Sequence, residues 1–128
     1  MSATEVAQWV VRILLAALFV GMGVAHFLPG PARGMGAIIP PSVKRLGIPT
    51  RAIVAITGVF EVAGGVGLLV EPVRFAAGLC LVVFLVAVFP ANSYASQHPE
   101  RFGRAAIPYW PRFAAQLALI ALVMLAVV

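Results

Sequence analysis

A single cysteine, Cys80, is all the thiol chemistry in this chain. One thiol forms no internal disulfide, and without a C-x-x-C pair thiol–disulfide exchange within the chain is excluded. Charge is scarce too: Asp, Glu, Lys and Arg make up 10% of the 128 residues, and only four of them are acidic. Metal centres therefore lack their ligands, since there is no H-x-x-x-H, no pair of neighbouring carboxylates and no second thiol. A membrane b-type haem needs two histidines at matched depth on facing helices. Of the two present, only His26 falls in an apolar run, and His98 stands in a polar stretch beside Pro99. No glycine-rich phosphate loop follows a strand, and no Ser/His/Asp set is visible.

What remains is apolar. The hydrophobic fraction is 62% and the mean hydropathy +1.06, against roughly 45–50% apolar residues in soluble domains. A soluble fold of this size cannot hide that much apolar surface, so lipid is the expected solvent for most side chains. Four runs approach the roughly 20 residues needed to cross about 30 Å of hydrocarbon. They cover residues 8–28, 52–70, 73–89 and 112–128. The expected fold is all-α, a four-transmembrane-helix bundle forming a single membrane domain over residues 1–128. Continuous rather than alternating apolar runs exclude a β-barrel. The first run is too long for a cleavable signal, begins beside Glu5 and has no small-residue cleavage pattern behind it, so it reads as a span.

Connections follow from the punctuation. Residues 29–51 contain five prolines, which interrupt any helix repeatedly. Residues 71–72 make a tight turn and pair the second and third spans as a hairpin, and residues 91–111 form a second long, polar and aromatic connection. The net charge of +5 would suggest nucleic acid on a soluble protein. Here the basic residues gather in the long connections, as Arg33, Lys44, Arg45 and Arg51, then Arg101, Arg104 and Arg112, against Arg12 and Arg74 on the other side. The positive-inside rule then places both long connections in the cytoplasm and both termini outside. Trp9 and Trp110 fall at opposite interfaces.

Inside lipid, helices pack through small residues that let backbones approach. Ala17, Gly21 and Ala25 repeat at intervals of four in the first span. In the second, Thr57/Gly58, Glu61, Gly64/Gly65 and Leu68 form one stripe, so Glu61 projects toward another helix rather than toward lipid. A carboxylate near mid-membrane costs about 2.5–3.5 kcal/mol on insertion scales and is expected to be paired, protonated or beside a wet cavity. Both an interhelical tether and a proton-handling or ligand-orienting group suit it. At 1.5 Å per residue, Arg12 lies ~6 Å and Glu61 ~14 Å from the same side, with His26 ~10 Å from Glu61 in depth. An Arg12–Glu61 ion pair is the expectation, with Arg12 snorkelling to headgroups as the alternative. His26, Asn92 and Gln116 are expected at one level near the long connections. There they either cap helix ends freed by a break at Pro90 or line a pocket for a small headgroup such as a quinone.

The segment Thr57-Gly58-Val59-Phe60-Glu61-Val62-Ala63-Gly64-Gly65-Val66-Gly67-Leu68-Leu69, Arg74 in a short turn, and Val88-Phe89-Pro90-Ala91-Asn92 together resemble the DoxX-like family of small bacterial four-helix membrane proteins. The likeness extends to Gly21-Met22-Gly23-Val24-Ala25-His26-Phe27, to Ile39-Pro40-Pro41 and to Pro49, covering most of the chain as an ordered series. The fourth span departs: Arg112-Phe113-Ala114-Ala115-Gln116 keeps an Arg and a Gln but lacks the proline common between them. The resemblance implies a multi-pass protein of the bacterial inner membrane, and it carries over His26, Glu61, Asn92 and Gln116 as a location for ligand binding. Some relatives are membrane subunits of thiosulfate:quinone oxidoreductases, and others belong with redox-stress complexes. Three functions stay open on this basis. The first is an accessory subunit that binds a quinone and takes electrons from a soluble or membrane redox partner, because the chain has no redox centre of its own. The second is a small-solute transporter titrating Glu61, as a homo-oligomer. The third is a scaffold that docks a soluble partner on its basic, aromatic connections (Tyr94, Phe102, Tyr109, Trp110).

Overall fold

The computed structural model describes residues 1–98, 100 and 108–128. Four helices in it are long and apolar enough to span a membrane, and among the described residues there is no strand. The chain is therefore an all-helical membrane bundle.

The first span, α1 (Ala3–Ala25), begins before the apolar run does. Ser2 caps it: its hydroxyl oxygen accepts from the Glu5 backbone N–H at 3.1 Å, and Glu5 adds negative charge to the first turn. The proline-rich connection is more ordered than its composition suggests, because its prolines stand where helices start. Pro29 opens α2 (Pro29–Ala37) and Pro41 opens the short α3 (Pro41–Lys44). In a first turn the missing N–H has no intrahelical acceptor to lose, and the fixed φ is already helical. Gly47, at φ 80°, turns the chain toward α4 (Thr50–Gly67), which starts directly after Pro49.

A 3-10 turn over Glu71–Val73 leads into α5 (Arg74–Ser96), completing the expected hairpin. The expected break at Pro90 does not occur. The helix runs through it and takes up the first residues of the second long connection. Proline removes only one ladder hydrogen bond here, and in a spanning segment no water competes for the carbonyl it frees. The last span is α6 (Tyr109–Val127). Arg101, Phe102 and Arg104, used above for topology and docking, lie outside the described residues.

The spanning helices pack in cyclic order α1, α4, α5, α6 and back to α1. The closest approach is between α1 and α4. A Cβ on Gly23 would stand 3.0 Å from the Gly58 carbonyl oxygen, and one on Gly58 would stand 2.6 Å from the His26 Cβ. The two backbones thus touch through reciprocal glycines, as expected where dispersion rather than hydrophobic exclusion drives packing. A core of Leu15, Phe19, Leu68, Leu81, Leu85, Val123 and Ala126 lies between the helices. Leu14, Phe60, Val83 and Leu125 face outward. Large apolar side chains on the outside of a helical bundle mark its lipid face.

Candidate functional site

Glu61 is buried, with 4% of its surface exposed. Its inward direction follows from the stripe it shares with Gly58, Gly64 and Gly65, all buried on the same face of α4. Its expected partner is elsewhere. Arg12, 8% exposed, donates from Nε to the Ala126 carbonyl at 2.7 Å and lies 5.0 Å over the Trp9 ring. No Arg12–Glu61 pair forms. The expectation assumed that the ends of the apolar runs stand level, whereas the register is set by close contacts. Gly65 meets Ala16 and Phe19, and Gly58 meets Gly23 and His26, so Glu61 is level with the stretch between Phe19 and Gly23. Arg12 lies about 14 Å farther along the bundle, beyond side-chain reach.

The same register brings His26 to Glu61. Its Nδ1 stands 3.4 Å from Glu61 Oε2 and 2.8 Å from the Met22 carbonyl oxygen. A carbonyl only accepts, so the shorter contact places the proton on Nδ1 and directs it along α1's own axis. Glu61 Oε2 consequently has no hydrogen-bond partner although it is fully enclosed. A buried polar atom without a partner costs about 1–3 kcal/mol, and such atoms are rare in folded proteins.

Glu61 also lines a cavity. This cavity, of about 450 Å³, lies among α1, α4 and α5, with Ile38, Ile39 and Pro40 of the α2–α3 segment also on its wall. Its polar wall is Glu61, His26, Thr57 and Asn92, and the rest is apolar, including Phe19, Met22, Leu85 and Leu119. Thr57 Oγ1 lies 2.9 Å from the Val54 carbonyl and 3.1 Å from that of Ile53, so its proton stays with its own helix while its lone pairs face outward. Asn92 accepts from Arg112 Nη1 at 2.9 Å through Oδ1, which leaves its NH₂ group to donate. One carboxyl, one imidazole and one amide donor thus share the wall of an otherwise apolar chamber.

Three of the four residues expected to hold a ligand, His26, Glu61 and Asn92, line this one cavity. Gln116 does not; it is half-buried on α6, whose contribution to the wall is Leu119. Steps of three and four along α1 put Phe19 on the face of His26. The Arg112–Asn92 bond had no comparable signal, since it joins two helices across the second long connection. Among the described residues no three of His, Cys, Asp and Glu group closely enough to hold a metal ion.

No curated protein and no solved structure matches the chain. One family model does match, over residues 15–127, nearly the whole chain and every side chain of the cavity, and the protein accordingly belongs to the family described as Domain of unknown function (DUF8561).

Proposed function

We propose that the chain is a membrane-embedded binding subunit for a quinone-class ring, serving a redox partner that supplies or removes the electrons. The single observation that carries this reading is the buried carboxyl of Glu61, one of whose oxygens has no hydrogen-bond partner, on the wall of a largely apolar cavity. The volume falls within the range of about 300–1,000 Å³ typical of small-molecule sites. A quinol hydroxyl donates to an ionised Glu61, a quinone oxygen accepts from a protonated one, and the Asn92 NH₂ offers a donor for a second ring oxygen. Phe19, Met22 and Leu85 suit the ring face and the start of an isoprenoid tail. The resemblance to DoxX-like proteins supports the same ligand class and a bacterial inner-membrane setting. The excess of basic residues at the end bearing α2 and α3 supports a cytoplasmic location for that end, with both termini outside.

The test is thermal unfolding of the purified protein in detergent with a short-chain quinone or quinol. The expected result is a rise in Tm that saturates with ligand and is diminished in Glu61→Gln and His26→Ala. No shift at saturating quinone removes the proposal.

One observation favours a second reading. His26 lines both this cavity and a second one at the α2–α3 end, and two adjacent cavities suit a solute path with Glu61 as its titrating group. Proteoliposomes distinguish the two: a transporter takes up solute when a pH gradient is imposed, and a quinone-binding subunit does not.

A further inference from the structure

The second cavity, about 760 Å³, lies where α1 ends and α4 begins, and Arg33, Lys44 and Arg51 all line it. No acidic residue lines it. Arg33 spends one donor within its own helix, Nε to the Pro29 carbonyl at 3.2 Å. The side chains of Lys44 and Arg51 have no hydrogen bond or ion pair among the described residues. The chain's four acids cannot neutralise the three cations. Glu5 and Glu71 stand at the opposite end of the bundle, Glu61 is enclosed in the first cavity, and Glu100 lies 3.4 Å from His98. Thr50 lines the cavity as the first residue of α4, and no side chain caps that helix. Its first N–H groups therefore add to the positive field.

Apart from His26 the remaining wall is apolar, with Phe27, Ala32, Val54 and Ala55. Phe27, Leu28, Leu46 and Ile48 around this end are exposed, as in segments that settle into a lipid interface. Three cations without internal counter-charge, beside apolar surface at the end of two spans, call for an anion that carries its own hydrocarbon. We propose that this cavity binds the phosphate of an anionic phospholipid, with Arg33, Lys44 and Arg51 around the headgroup and Phe27, Ala32 and Val54 against the glycerol and first acyl carbons. Because His26 and Val54 belong to both cavities, the bound lipid forms one wall of the approach to Glu61.

Native mass spectrometry of the detergent-solubilised full chain, titrated with phosphatidylglycerol, phosphatidylcholine or inorganic phosphate, tests this. Phosphatidylglycerol is expected to be retained preferentially, and Lys44→Gln or Arg51→Gln to weaken it about fivefold each, the equivalent of roughly 1 kcal/mol per basic residue at an anionic surface. Arg45→Gln makes the same charge change at an exposed position outside the cavity and is expected to leave the preference intact. All three variants alter exposed side chains, and an unchanged Tm without lipid verifies their fold. Equal weakening by Arg45→Gln reduces the effect to net charge and overturns the site. Equal retention of phosphatidylcholine, or inorganic phosphate that displaces the lipid at comparable concentration, overturns the lipid as occupant.

Discussion

Arg12 reaches the last turn of α6: its Nε donates to the Ala126 carbonyl at 2.7 Å, joining the N-terminal half of α1 to the C-terminal turn of α6. Trp9 reinforces the join, with the guanidinium carbons of Arg12 and Arg74 each 5.0 Å from its ring centre. Gln8 Nε2 donates to the Leu125 and Val128 carbonyls at 3.2 and 3.1 Å. Helix C-termini leave carbonyls unpaired, and in a bilayer their donors must come from side chains such as these. Arg12→Gln is expected to destabilise the protein by about 2 kcal/mol, the usual worth of a hydrogen bond to a charged group, read as a lower Tm in detergent. It is also expected to leave ligand binding at Glu61 unchanged, because the two residues do not touch.

Gly58 is a tightly constrained position near the site. An added Cβ would fall 2.6 Å from the His26 Cβ and 3.1 Å from the Gly23 carbonyl oxygen, and neither neighbour is a flexible side-chain end. Gly58→Ala is expected to cost about 1–3 kcal/mol, as overpacking does, and to push His26 away from Glu61. Both Tm and the ligand-induced shift then fall. Gly21, where an added Cβ meets nothing within 4 Å, is the control: Gly21→Ala is expected to change neither.

The spans were legible because a continuous apolar run has one stable solution in lipid, and the inward turn of Glu61 because Gly58, Gly64 and Gly65 mark one face. The register between α1 and α4 was not. It depends on which glycines meet across the interface, a tertiary choice that spacing along one helix does not contain, and so Arg12 was matched to Glu61 in place of His26. Helix ends misled for local reasons. Ser2 and Glu5 extend α1 backward through a cap, whereas Pro90 looks like a stop only if water is assumed to compete for the freed carbonyl. Gln116 has the right depth for the cavity but is on a helix that offers the cavity only Leu119.

Pro90 itself is informative. Within α5 it leaves the Val86 carbonyl without its i+4 donor, and water is not present in the hydrocarbon region to replace it. Pro90→Ala restores an N–H at that position. A gain of about 1 kcal/mol is expected from the recovered hydrogen bond, seen as a higher Tm and as protection of the residue 90 amide in hydrogen exchange. An unprotected amide there means that the helix is open at this turn for a reason other than proline.

Ligand binding and folding can be separated at Ala91, a half-buried residue that lines the cavity beside Asn92. Ala91→Leu adds three heavy atoms into open space, not against a backbone as at Gly58, so overpacking does not apply and the Tm without ligand is expected to stay level or rise. The same atoms occupy volume that a ring would need, and the quinone-induced shift is expected to disappear. Asn92→Leu removes the amide donor while keeping most of the volume, and it is expected to reduce that shift without abolishing it. If Ala91→Leu binds quinone as well as the unaltered chain does, the ring is not held in this cavity.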